Sequence, residues 1–577
     1  MNRDHVDYQR EHKKLLDKPA DDLVVSECDD NKITSIANIC EDDDKQLPES
    51  PNTEAGFKRI IRRLTGIGWL SCRNILWYLV FTGGIVNYMI KVSLNLVIVA
   101  MVIPRTEKPS SLAECDAVAS LAPNFNSTFH SYEMLNQSSV IPDIEQQQQQ
   151  QHVGNFNWTE YQQGLALGAF YWSYWTTQVP GGILAQKYGT KLVFGGANFL
   201  ASLLGLLIPT VIKWHFNVFL VLRVLQGVIL GVVSPSTNVM TAKWIPPNER
   251  SKFVSAYMGG SVGIAITYPL CAFIITYFNW EAAFYFVSGI CIIWYCFWLF
   301  FMFDSPQQHP RIAKEELEYI LANTPASLTA SRKRAIPWKA ILISRPMWVT
   351  AVAHWGATWG FYTLLAQGPT YFRFIHGWDL NAIGLIAGVP HILLMIFSYL
   401  FGWWSDWLLK SGKMTRTGVR KLAITMCTGV QAAFTVGLSL SGCQSTLAVV
   451  FMLMGTTVTG GISAGTVANL VDLSPNFSSI LLGICGLSVN GVGAISPLIV
   501  GVLTNDNQTI GQWRLVFLIA AANMMIGFII FMIWGTANEQ SWNFSIEESE
   551  RAEEILYKEK DVQLFEKNQD ESSLSKS

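Results

Sequence analysis

Apolar runs broken by short charged stretches recur along most of the chain. A helix that crosses a bilayer needs ~20 mostly apolar residues, so each run reads as one span. Twelve spans are predicted, at approximately 74–103, 161–184, 190–212, 217–242, 253–278, 281–303, 347–372, 381–409, 420–441, 445–471, 480–503 and 513–535. The first is long enough to require a tilt or a break, and Gly83-Gly84 offers a soft point. The tail to about Ser71 is polar and largely acidic until the basic run Lys58, Arg59, Arg62, Arg63, a pattern that predicts disorder.

A repeat divides the spans into two sets. Ser234-x-x-Thr237, Pro246 and Pro269 recur as Ser463-x-x-Thr466, Pro475 and Pro497 at a nearly constant offset. Gly182-Ile-Leu-Ala-Gln-Lys-Tyr-Gly189, closing the second span, has a counterpart in Gly402-Trp-Trp-Ser-Asp406, closing the eighth. Chance recurrence of Ser, Thr and Pro is the competing explanation, and the fall of the repeat in corresponding spans speaks against it. The expected fold is therefore all-α and integral to the membrane, with twelve transmembrane helices in two pseudo-symmetric six-helix halves. The expected divisions are a cytoplasmic tail at 1–72, a first half at 73–303 with an outer loop at 104–160, a cytoplasmic central loop at 304–346, a second half at 347–536 and a cytoplasmic tail at 537–577. Parallel repeats of this kind build transporters that rock around a midplane site.

Composition agrees with this class. Half of the 577 residues are hydrophobic and only 15% are charged, which does not suit a soluble domain of this length. The net charge of −2 gives no sign of a nucleic-acid partner, and none is expected. The ten cysteines show neither metal-ligand spacing nor a disulfide framework, so no metal or cofactor is expected. Cys115 and Cys443 both fall in predicted outer loops, where a bridge is open but sequence does not decide it. No cleavable signal peptide is read, and the first span is expected to act as its own signal.

Lys and Arg set the orientation. Lys187, Lys191, Lys243, Arg250 and Lys252 lie in loops assigned to the cytoplasm, as do the basic residues of the central loop and of 410–421, whereas outer loops carry few. The positive-inside rule then places both termini in the cytoplasm. Asn126, Asn136, Asn157 and Asn507 match N-x-S/T in outer loops and are expected glycosylation sites. Asn476 and Asn543 match too, but on the cytoplasmic side, where they are not expected to be used. Gln146 to Gln151 form a polar tract that reads as a spacer.

Lys91 and Arg223 lie inside apolar spans, and no carboxylate sits at comparable depth. A charge in hydrocarbon costs at least ~2.5–3.5 kcal/mol even on lenient insertion scales. With no acidic residue to offset it, an anionic substrate is the natural counter-charge. Lys91 is at least ~12 residues, or ~18 Å of helix, from either end of its span, too deep for its stem to reach the interface. The bland alternative is a lysine facing a water-filled vestibule without touching substrate. Arg223 lies ~9 Å deep, and snorkelling competes there. His354 and His391 also fall within spans; hydrogen-bonded packing is the plainer reading of each, and neither is assigned a role in proton transfer. Trp355, Trp359, Phe361 and Tyr362 could line a cavity or pack as a stripe, since the interleaved Gly356 and Gly360 suit close helix contact.

Several ordered motifs carry a resemblance over about 60–545: Gln178-Val-Pro-Gly181-Gly182, Arg223-Val-Leu-Gln226-Gly227, Trp244-Ile-Pro246-Pro247-Asn-Glu249-Arg250-Ser251, Asn469-Leu-Val-Asp472-Leu-Ser-Pro475 and Glu539-Gln-Ser-Trp542-Asn543. Together they resemble the major facilitator superfamily, and within it the anion transporters of solute carrier family 17. That family includes sodium-coupled phosphate carriers, urate carriers, a lysosomal sialic acid exporter, and vesicular glutamate and nucleotide carriers. The resemblance implies that Arg223 holds the anion, that Lys91 stands for a first-helix arginine of many members, and that Tyr174 and Tyr362 line the central cavity. It implies gating or structural roles for Gly182, Gly189, Glu249 and Arg250; Asp406 and Asp472, at cytoplasmic helix ends, are read as gating clamps. The departures matter as well. A fourth-helix glutamate tied to proton coupling is replaced by Leu230, a second-helix histidine by Leu167 and a seventh-helix arginine by Ala357.

These readings lead to an expected secondary active anion symporter that works by alternating access, with sodium as the coupling ion and inorganic phosphate or an organic anion as substrate. Proton-coupled lysosomal export of sialic acid or acidic sugars is the alternative. A non-transporting receptor or scaffold is a second, but it gains nothing from two buried cations. No phosphate loop, zinc motif or nucleophile elbow suggests an enzyme. The expected partners are a small anion and the bilayer, for a monomer in the plasma membrane, or alternatively in a lysosomal or endosomal one. Glu11-His-Lys-Lys-Leu15-Leu16 has the spacing of an acidic-dileucine sorting signal, a short pattern that also occurs by chance.

Overall fold

The computed structural model describes residues 71–103, 114–115, 156–246, 249, 253, 255–323 and 336–544. Asn126, Asn136, Arg250 and the Glu11–Leu16 segment lie outside the described residues. The chain groups into two units by its internal contacts. One, Met1–Ile67 with Ser541–Ser577, is described only at Ser541–Phe544 and contains the single turn Ser541–Asn543. The other, Gly68–Gln540, holds every long helix described below.

Among the described residues, twelve long helical segments run in the predicted order, shorter helices at Lys314–Asn323 and Trp338–Ile343 lie in the central loop, and no β-sheet forms; one bridge joins Val102 to Phe156. The first six are α1 (Cys72–Met101), α2 (Glu160–Tyr174 and Gln178–Tyr188), α3 (Lys191–Trp214), α4 (Phe216–Trp244), α5 (Ser255–Tyr277) and α6 (Trp280–Phe301). The second six are α7 (Arg345–Phe374), α8 (Leu380–Lys410), α9 (Arg416–Leu440), α10 (Ser445–Leu473), α11 (Ser478–Leu503) and α12 (Ile510–Trp534). Ten are long and apolar enough to cross a membrane. The other two are α2, which is broken, and α7, whose polar positions include His354, Thr358, Thr363 and Gln367.

Two local features differ from the sequence expectation. The first helix runs unbroken through Gly83-Gly84. Those glycines serve contact instead: a Cβ on Gly83 would stand 2.8 Å from Phe194 and Trp294, and one on Gly84 would stand 3.3 Å from the Gly260 nitrogen. The break falls in α2, at 175–177. Pro180 accounts for it, because its ring excludes the carbonyl four residues back, that of Thr176, and offers no N–H to it.

The two halves meet along α2–α11 and α5–α8, where missing side chains let backbones approach. A Cβ on Gly168 would lie 2.8 Å from the Ala494 carbonyl, and one on Gly501 2.6 Å from that of Glu160. On the other side, Gly384 and Gly388 would place a Cβ 2.6 Å from Ala272 and 2.7 Å from the Ala265 carbonyl. At the same end of the bundle Cys115 and Cys443 are disulfide-bonded, with a Cα–Cα distance of 5.3 Å. The Cys115 N–H donates to the Ile375 carbonyl and the Ile510 N–H to Glu114 Oε2, so this piece of the first long loop is docked on the second half. Asn157 and Asn507 are exposed at this disulfide end.

At the opposite end the first half is fastened to the central loop and the second half to itself. Arg73 pairs with Glu249 and Glu316, and Glu249 also accepts from Tyr319. Gly189 adopts φ +89 between α2 and α3, and the neighbouring Lys191 N–H donates to Asp304 at 2.7 Å. Gly182 is half-buried beside Pro235. Asp472 pairs with Arg420 of α9 at 2.7 Å, inside the second half, while Asp406 is exposed at the end of α8.

Candidate functional site

The site is built on α1, α2 and α4. Cross-helix bonds lock α2 to α4: Ser173 Oγ donates to the Val224 carbonyl at 2.6 Å and Thr177 Oγ1 to that of Val228 at 2.7 Å. Gly227 makes this possible, since any side chain there would overlap the Phe170 carbonyl. The lock places Phe170 and Tyr174, four residues apart on one helix face, between the two buried cations, with the Tyr171 ring against both.

Lys91 is 8% exposed. Its Nζ donates to the Tyr174 hydroxyl at 3.0 Å and lies 4.7 Å from the Tyr88 ring centroid and 4.4 Å from that of Tyr174. Aromatic faces stabilise an ammonium while leaving its charge uncancelled. Arg223 is 1% exposed, so it does not snorkel to the interface. One guanidinium N–H donates to Gln226 Oε1 at 3.1 Å, and the group stacks 5.2 Å from the Phe170 centroid. Gln226 is held in turn by its bond to the Ala201 carbonyl at 3.1 Å. Arg223 Nε donates to no described residue. Neither cation makes an ion pair among the described residues, so both charges remain available to an anion.

Tyr171 carries the site to the second half. Its ring meets Tyr362 edge-on, centroids 5.2 Å apart, and lies where a Cβ on Gly493 would be 2.8 Å away. One turn beyond Lys91, Asn95 donates to the Tyr268 hydroxyl and to the Leu365 carbonyl, and Tyr268 donates to that same carbonyl at 2.6 Å. The predicted residues Lys91, Arg223, Tyr174 and Tyr362 therefore gather in one connected cluster. Trp359 instead joins a cluster with residues of α9, α11 and α12. His354 bonds to Thr466 at 2.6 Å, and the buried His391 meets the edge of Phe361.

The members of the cluster not singled out from sequence include Tyr88, Tyr171 and Gln226. A signal existed for each. Tyr88 lies three residues before Lys91, Tyr171 three before Tyr174 and Gln226 three after Arg223, the spacing that puts side chains on one helical face.

Comparison with known proteins agrees with this fold. The family described as Major Facilitator Superfamily matches residues 80–417, more than half of the chain. Among solved structures, a bacterial homologue of the human lysosomal transporter Spinster, inward-facing and occupied, shares the fold with a TM-score of 0.56 and 10% identity, over 80% of this chain and 96% of that one. A D-xylose–proton symporter aligns with a TM-score of 0.52 and 13% identity, over 78% and 96%. The chain is thus a multi-pass membrane transporter of the major facilitator superfamily, not an enzyme. Sialin of Ovis aries is 33% identical over 83% of this chain and 92% of its own length, and sialin of Homo sapiens 36% identical over 67% and 78%. Vesicular glutamate transporter 2 of Bos taurus is 33% identical over 68% of each chain. These relatives are members of solute carrier family 17, and the chain belongs to that family.

Proposed function

We propose that the protein is a secondary active anion symporter in which Lys91 and Arg223 neutralise the substrate and Tyr174 and Tyr362 orient it. The observation that carries this reading is the pair of buried cations whose polar partners are a tyrosine hydroxyl and an amide, not a carboxylate. Kinship with sialins and vesicular glutamate transporters supports an anionic cargo. The halves rock around the site. With the disulfide end outside and both termini cytoplasmic, the packed α2–α11 and α5–α8 contacts correspond to the closed outer gate of an inward-facing state. Substrate affinity differs only modestly between the facing states, or release would be slow.

The coupling ion in this reading is sodium and the substrate inorganic phosphate or an organic anion, carried across the plasma membrane by a monomer. Its support is local: Leu230 and Leu167 are buried apolar residues, and Arg223 leans on the amide of Gln226, so among the described residues a proton has no carboxylate to ride on at Arg223. Proton-coupled export of sialic acid or acidic sugars from lysosomes is a second reading, supported by the identity to the two sialins. Uptake of labelled phosphate, urate, sialate and glutamate into proteoliposomes, with sodium and pH gradients imposed separately, tests both. Flux that ignores sodium and rises with acid would overturn the sodium reading in favour of the second.

A further inference from the structure

Helix α10 changes its winding midway. Ser445–Val458 is α-helical, Thr459–Ile462 winds more tightly, Ser463–Val467 is a π-helical turn, and Ala468–Leu473 resumes the α-helix. Such turns are frequent at functional sites. In membrane transporters, interrupted helices hold cations through backbone and side-chain oxygens.

Side chains facing this interruption are rich in oxygen acceptors. Thr466 Oγ1 lies 2.6 Å from His354 Nδ1 on α7. Asn469 Nδ2 donates at 2.8 Å to Thr350 Oγ1, one turn from His354. Thr350 spends its own proton on the Pro346 carbonyl at 2.8 Å, so its oxygen faces Asn469 purely as an acceptor. Asn469 is fully buried at 0% exposure, and its Oδ1 accepts from no described residue. A buried acceptor left without a donor costs ~1–3 kcal/mol, so this oxygen calls for a donor or a cation. Arg420, which reaches the same interruption through the Ala464 carbonyl, is neutralised by Asp472 and leaves no net charge to repel one.

We infer that Asn469 Oδ1, with the hydroxyl oxygens of Thr466 and Thr350, forms part of a binding site for a small monovalent cation, sodium, between α7 and α10. This inference rests on the sodium-coupled reading above and gives that coupling a location. Hard cations take oxygen ligands, and a set of neutral oxygens suits a single positive charge, whereas divalent ions draw on carboxylates. His354 precedes Tyr362 by eight residues, ~12 Å of helix, so the cation lies toward the central-loop end from the anion site. The same helix, α7, then touches both ligands, which lets its position depend on both.

The test uses the purified full-length chain and two readouts, direct binding of radiolabelled sodium and the sodium dependence of phosphate uptake in proteoliposomes. Asn469→Ala and the near-isosteric Thr466→Val should each raise the sodium concentration for half-maximal uptake about tenfold, equivalent to ~1.4 kcal/mol. The phosphate KM at saturating sodium should change little, which separates a lost ligand from a misfolded protein. Asn469→Asp, which keeps an oxygen in place, should bind sodium at least as well as the wild type. A wild-type chain that binds sodium while both disruptive variants bind it equally well would overturn the site and leave the sodium reading standing. A wild-type chain indifferent to sodium in both assays would overturn the reading and the site with it.

Discussion

Placing a carboxylate beside Arg223 provides a demanding check on the site. In Gln226→Glu the new group occupies the position from which the amide oxygen now contacts the guanidinium at 3.1 Å. At that distance the bare attraction between unit charges is ~5 kcal/mol for an effective dielectric of about 20, an upper bound. Hydrogen bonds to charged groups contribute a net ~1.5–3 kcal/mol, so the built-in carboxylate should weaken apparent anion affinity by about 10- to 150-fold. The variant should also acquire a pH dependence. Protonating the introduced carboxylate removes its competition for Arg223, so uptake at subsaturating anion should rise as the medium is acidified. Gln226→Leu removes the same partner without adding charge and should not gain this acid stimulation. The assay is initial-rate uptake of labelled phosphate, or of whichever anion the substrate panel selects, against concentration at several pH values. An unchanged KM with a wild-type pH profile in Gln226→Glu would refute the claim that Arg223 offers its charge to the substrate.

Two further outcomes follow from the disulfide end. Gly168→Ala puts a methyl group 2.8 Å from the Ala494 carbonyl, and overpacking of this kind costs ~1–3 kcal/mol, so hydrogen-exchange protection of α2 and α11 should fall. Unaltered protection would mean that this α2–α11 contact does not hold the two halves together. Cys443→Ser should lower the melting temperature of the purified chain to the value that reductant gives the wild type, since removing a native disulfide costs ~2–5 kcal/mol. A melting temperature indifferent to both treatments would show that docking Glu114 and Cys115 on the second half adds no stability.

The architecture was legible because each spanning helix must carry its own apolar length and each loop its own charge, both local properties of sequence. The two cations were legible for the same reason: a lysine or arginine in an apolar run is costly wherever it points. Tyr88, Tyr171 and Gln226 are neutral; helical spacing puts each on the face of a residue already singled out, but only the packed helices separate it from an ordinary packing residue. The disulfide pairs residues 328 apart, and nothing in either loop names its partner. Local breakers did not announce their roles: Gly83-Gly84, read as a soft point, admits neighbouring side chains and backbone without bending α1, whereas the break falls in α2 ahead of Pro180, for which no break was expected. Asn469 is the extreme case, because an amide without a donor is visible only when every neighbour is in place.

The central claim is that Lys91 and Arg223 together hold the transported anion. Its most direct test is uptake by Lys91→Gln and Arg223→Gln reconstituted at equal amounts of folded protein. The account predicts that each variant loses transport of every anion the wild type carries, and wild-type rates in both would contradict it.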